Sequence, residues 1–111
     1  MPSKGRPPSP LDLSPAAAAR IIRRLAVDDA SVFFTRHAER RMFERHVSVP
    51  EVLSVLRRGR IVEGPARGAR WHWRCSLAHA LRERELTVAV ALGWDAERSR
   101  QIIVITVFGD R

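Results

Sequence analysis

The chain has 111 residues with 20 Lys and Arg against 12 Asp and Glu, a formal charge of +8 and a pI near 11.6. That length suits one compact domain of the common size, about 100–150 residues, and excludes two catalytic domains. No apolar run reaches the roughly 18 residues of a membrane span, the N-terminus lacks the apolar stretch of a secretory leader, and the lone Cys75 rules out an internal disulfide framework.

The expectation is therefore a cytoplasmic protein with a polyanionic partner. Charge is unevenly placed: residues 36–74 carry ten bases and four acids, which is +6 of the +8. Nineteen of the twenty bases are arginine, whose planar fork suits bidentate phosphate contact. Codon bias in a GC-rich genome would also favour arginine, but it would not cluster net charge.

In chain order, residues 1–13 contain four prolines and read as a mobile tail; residues 14–111 form the single domain. Ser14-Pro15 is an N-cap and first helical position, and Ala18, Ile21, Ile22 and Leu25 give a helix over 15–28 with Arg20, Arg23 and Arg24 on its solvated side. Thr35 caps a second helix through about His46, with Ala38, Met42 and Phe43 on one side and His37, Arg40, Arg41 and Glu44 on the other. Ser48-Val49-Pro50-Glu51 is a capping box for a third helix that stops at Gly59, where positive φ is expected.

The period then changes to two. Arg60–Glu63 is a short strand ended by Gly64-Pro65. From Arg70 to Leu77, Trp71, Trp73, Cys75 and Leu77 face inward, and Arg70, His72, Arg74 and Ser76 face outward. Glu85–Leu92 is a third strand, and the apolar run 101–108 a fourth, covered on both faces. The fold class is α+β: N-terminal helices followed by a small twisted antiparallel sheet of about four strands.

Chemistry concentrates on histidine and arginine. A neutral imidazole at His37 takes a proton near pH 7, and the guanidinium of Arg41, one turn later, stabilises charge growing on a phosphate. Arg70, His72 and Arg74, spaced by two, form a cationic row able to follow a nucleic-acid backbone; a solvated sheet face or a protected edge has the same pattern. The string His72, Cys75, His79 places its first two members on opposite strand faces and lacks a second ligand cluster, so no metal site and no cofactor are expected. Neither a Gly-rich phosphate loop nor a nucleophile elbow is present.

Phe34-Thr35-Arg36-His37-Ala38-Glu39-Arg40-Arg41-Met42-Phe43-Glu44-Arg45, then Val49–Leu56, the Gly59–Glu63 transition, Arg84–Val88 and Ile103–Phe108 together resemble the bacterial domain of unknown function numbered 4258, over roughly residues 32–108. That family is similar to RelE, BrnT and MqsR type toxins and, more distantly, to barnase-like and colicin-type ribonucleases. The resemblance implies a metal-free RNase commonly paired with an antitoxin. It puts the family's helical histidine on His37, the following arginines on Arg40, Arg41 and Arg45, and the last-strand threonine on Thr106. The extra N-terminal helix, the long Ala78–Arg84 connection and the absence of tyrosine depart from the usual pattern.

The leading expectation is an endoribonuclease toxin acting by 2′-hydroxyl attack on free or ribosome-bound RNA. Its catalytic set is His37, Arg41, His72, Arg74 and Thr106, and Arg36, Arg40, Arg45, Arg57, Arg58 and Arg70 extend the RNA-binding surface. An acidic antitoxin would cover this face. A non-catalytic RNA- or protein-binding module needs the same charge. A helix-turn-helix DNA reader over residues 36–58 fits less well, because Val49-Pro50-Glu51-Val52-Leu53 offers little to base edges.

Overall fold

The structure, a computed structural model, describes residues 13–67, 73–94 and 100–109. Among these residues the α-helices α1 (Pro15–Ala26), α2 (Arg36–Arg45) and α3 (Val49–Arg58) precede the strands β2 (Arg60–Arg67), β3 (Trp73–Ala80), β4 (Glu85–Trp94) and β5 (Arg100–Gly109). Strand β1 (Val32–Phe34) lies between α1 and α2, after a 3₁₀ turn over Asp29–Ser31. The caps read from the sequence form: Ser14 and Thr35 accept from Ala17 and Ala38 backbone N–H groups, and Ser48 with Glu51 closes a full capping box.

Among the described residues the sheet has five strands, in the order β1-β5-β4-β3-β2. It is mixed rather than wholly antiparallel, because β1 pairs in parallel with Ile102–Val104 of β5. Three residues are too few to display alternation, so β1 left no periodic signal in the sequence. The core lies between the helices and one sheet face, where Ile22, Val52, Val55, Leu56, Leu77, Val88, Val90, Ile102, Val104 and Val107 are fully buried. Leu13 packs against its margin, and residues 1–12 of the expected tail lie outside the described residues.

Arginines tie the helices together. Arg57 Nε donates to Ala26 O at 2.8 Å, and Arg23 Nη2 donates to Gly59 O at 3.2 Å. Each cation thus meets a carbonyl at the negative end of the other helix, which places the C-terminal ends of α1 and α3 side by side. Arg23, expected on a solvated face, spans this junction.

Several expectations are corrected. Phe43 is 84% exposed rather than turned inward with Ala38 and Met42. Gly59 has φ −75° and ψ 169°, so it is not a positive-φ cap. Glycine is required there by space, since a Cβ would stand 2.5 Å from Val55 O and 2.9 Å from Ala78 O. The left-handed cap falls instead on His46 at the end of α2, with φ 57° and ψ 48°. Strand β5 is covered on one face only: Ile103 and Ile105 are half-buried and Phe108 is exposed on the other. The Ala78–Arg84 connection is mostly strand and tight turn, closed by Leu81 N–H donating to Arg84 O at 2.7 Å.

Candidate functional site on the open sheet face

The helix-free face of the sheet carries a groove of about 320 Å³ whose lining includes Glu63, Arg74, Ser76, Ala89, Thr106 and Phe108. Four of these form one row across the sheet, Glu63 opposite Ser76, Ser76 opposite Ala89, and Ala89 opposite Thr106. Arg74 lies one row along, between Ala66 and Ala91. The small side chains of Ser76 and Ala89 make the floor, so the longer ones at the ends stand above it.

Two register shifts make this row. On β2, Ile61 pairs with the core residue Leu77, yet Glu63, two positions on, pairs with Ser76 on the open face. On β5, Val104 pairs with Val90 in the core, yet Thr106 pairs with Ala89 on the open face, leaving Ile105 as the extra residue. Strict alternation would have kept Glu63 with Ile61 and Thr106 with Val104, facing the core. Each bulge turns its polar side chain outward, as bulges beside functional sites do.

Both bulges are held in place. Gly64 follows Glu63 with φ +82°, and a Cβ there would stand 2.6 Å from Arg74 O; the next peptide, Gly64-Pro65, is cis. On β5 the extra residue is pinned by α2, because Thr35 Oγ1 donates to Ile105 O at 3.2 Å while accepting from Ala38 N–H at 3.0 Å. One hydroxyl therefore starts α2 and fixes the bend that presents Thr106.

Of the five residues expected to be catalytic, Arg74 and Thr106 meet in this groove. His37 and Arg41 lie on α2 and are not part of its lining, and His72, like Arg70 and Trp71, lies outside the described residues. His37, Arg36 and Arg40 are exposed on α2. Arg41 sits 3.4 Å from Glu44 Oε1 through Nη1, and the Nε atoms of Arg41 and Arg45 are buried without a hydrogen-bond partner among the described residues. Arg57 and Arg58 are exposed at the end of α3.

Glu63 is the site residue that sequence reading missed. A strand stopping at Gly64-Pro65 would make Glu63 its last residue, whereas β2 continues to Arg67. The signal was the Gly-Pro pair inside an alternating stretch, which marks a bulge as well as a stop. Neither Glu63 nor Arg74 is engaged by a hydrogen bond or ion pair with another described residue, so a carboxylate and a guanidinium are free at one groove. Cys75, also in the lining, is turned into the core, and burial pushes its thiol up to about 11, so it is neutral and unreactive near pH 7.

A second cavity of about 650 Å³ lies where α2 ends against the turn between β3 and β4, lined by Arg45, His46, Glu51 and Arg84 among others. Arg84 is committed to structure there, donating to Arg45 O at 2.9 Å, His46 O at 2.8 Å and Glu51 Oε1 at 3.3 Å. Among the described residues no three His, Cys, Asp or Glu side chains gather as a metal site requires, and no helix is long and apolar enough to cross a membrane.

No curated protein and no solved structure matches the chain. Residues 34–109, from the strand before α2 to the end of β5, match the family model described as domain of unknown function DUF4258, and with that span covered the chain belongs to this family.

Proposed function

We propose that this protein is a metal-independent endoribonuclease of the RelE or barnase type, working on the open face of its sheet. The observation that carries the reading is the pair of bulges that turn Glu63 and Thr106 out of the core register and onto one row beside Arg74, which has no partner among the described residues. A carboxylate that gains nothing for the core and a free guanidinium at the same groove suit a phosphodiester and the proton next to it.

Arg74 holds the phosphate by two N–H donors, and the Thr106 hydroxyl donates to a non-bridging oxygen. Glu63 accepts the 2′-hydroxyl proton as that oxygen bonds to phosphorus. The bond to the 5′-oxygen breaks, and this oxygen takes a proton from His72, two residues before Arg74 in sequence. The products are a 2′,3′-cyclic phosphate and a 5′-hydroxyl. His37, expected from the sequence as base or acid, takes no part in this scheme. Its place on α2 with Arg36, Arg40 and Arg41 suits contact with RNA beyond the groove. An acidic antitoxin would cover the same face and remove both charge and access.

The test is cleavage of end-labelled oligoribonucleotides in EDTA by wild type, Glu63→Gln, Arg74→Ala and His37→Ala, with the 3′ ends characterised. Wild type yields cyclic phosphate, Glu63→Gln and Arg74→Ala lose about 100-fold or more, and His37→Ala keeps most of the rate. Undiminished cleavage by Glu63→Gln refutes the assignment of the base. Tight binding without cleavage by wild type leaves an RNA-binding module in place of the enzyme.

A further inference from the structure

Phe108 is 46% exposed in a strand whose Val104 and Val107 are fully buried. The bulge that turns Thr106 outward also turns Phe108 outward, two residues further on. In cross-strand register its neighbours are Thr87 and then Ala78, side chains too short to cover a phenyl ring. The ring stands at the margin of the groove that Arg74 and Thr106 share. Two residues of strand separate its Cα from that of Thr106 by about 6.7 Å, close to the offset between a nucleotide's phosphate and its base.

The occupant follows from size and charge. A groove of about 320 Å³ is at the small end of ligand sites, about 300–1,000 Å³, which suits one nucleotide and is too little for a docked helix or hairpin. The Arg74 guanidinium at one side, without a partner among the described residues, and the excess of arginine over residues 36–74 favour an anionic chain. A flat apolar ring beside a phosphate-binding pair is the arrangement on which unpaired bases stack. In a duplex both faces of each base are already stacked, so the ring would find no free face.

We infer that Phe108 is a stacking platform for an unpaired nucleobase, so that the ligand of this groove is single-stranded RNA with its neighbouring phosphate on Arg74 and Thr106. The inference rests on the RNA reading above and adds to it the ligand class and the residue that selects it.

The experiment measures binding of a 2′-O-methyl oligoribonucleotide carrying one 2-aminopurine, which has no nucleophile to cleave, alone and annealed to its complement. Wild type binds the single strand and quenches 2-aminopurine fluorescence. Phe108→Ala binds about 5- to 150-fold more weakly and does not quench, whereas Phe108→Trp retains both. Phe43→Ala, which removes a still more exposed ring outside the groove lining, behaves as wild type. The duplex binds wild type and Phe108→Ala alike. Full affinity and quenching in a folded Phe108→Ala, with Arg74→Ala weakened, overturns the stacking role and leaves the RNA reading standing. Failure of wild type to bind either oligonucleotide at low salt overturns both.

Discussion

Replacing Thr35 by valine keeps the shape and branching of the side chain and removes only its hydroxyl. Two bonds disappear: the acceptor for Ala38 N–H at 3.0 Å and the donor to Ile105 O at 3.2 Å. Loss of an N-cap costs about 1 kcal/mol, and a part-buried hydrogen bond is worth about another 1 kcal/mol, so the sum is about 2 kcal/mol. For a domain of this size that lowers Tm by about 8 °C. Thr35→Ser retains the hydroxyl and recovers most of the loss. Thermal and urea unfolding give the global cost. Hydrogen exchange at the Ala38 amide gives the local one, faster in the valine variant by more than global unfolding accounts for. If valine and serine variants unfold together, the hydroxyl bonds contribute nothing, and α2 does not hold the bulge in the way argued.

Other substitutions test the remaining joints. Gly59→Ala should cost about 2 kcal/mol, because its methyl meets carbonyl oxygens of α3 and β3; Gly59→Asn should be no better, as positive φ is not the requirement. Gly109→Ala, with its nearest neighbours at 3.9 and 4.0 Å, should stay within about 0.5 kcal/mol of wild type in the same melts. Arg84→Ala removes a donor from the carbonyls of Arg45 and His46 and from the Glu51 carboxylate, which keeps Ser48, and should lower the urea midpoint by an amount worth about 1–3 kcal/mol, with Lys a partial substitute. Glu51 is held below the usual carboxylate range by the Ser48 backbone N–H first, then the Ser48 hydroxyl and the charge of Arg84, against some desolvation. A depressed carboxylate stabilises the fold above its unfolded pKa, and that stability is lost as pH falls through the folded value. The stability gap between wild type and Glu51→Gln should therefore be constant near neutrality and close under acid.

The helices were legible because caps are local. Ser14, Thr35 and the Ser48–Glu51 pair act within one turn, so spacing alone reveals them, and the buried register of Trp73, Cys75 and Leu77 follows from strict alternation. Gly59 was legible as a stop and misread as to cause, since the reason for glycine is the approach of β3, which a local pattern does not contain. Phe43 shows the same boundary. Its angular position on α2 borders the apolar stripe, but only the place of α2 beside β5, a long-range fact, decides that its ring faces water. Strand β1 pairs with a segment seventy positions away in register, Val32 with Ile102, and three residues hold too little pattern to announce it.

The candidate site was half legible for a related reason. Side-chain chemistry identifies arginine as a phosphate ligand but does not say which arginines have carbonyls to satisfy instead. Arg23, Arg57 and Arg84 donate to backbone oxygens at helix ends, so part of the charge excess holds the helical layer together. Arg74 has no such duty among the described residues, and of the arginines in the basic segment it is the one in the lining of the groove. Glu63 and Thr106, in turn, share their parity with Ile61, which packs against the core, and with the buried Val104, and periodicity alone would turn them inward. A bulge reverses facing without changing any residue's identity, which is why alternation cannot see it. That both bulges bring a polar group to the same groove as Arg74, each held by its own device, Gly64 on one strand and Thr35 on the other, gives the groove a claim to function that neither charge nor resemblance supplies.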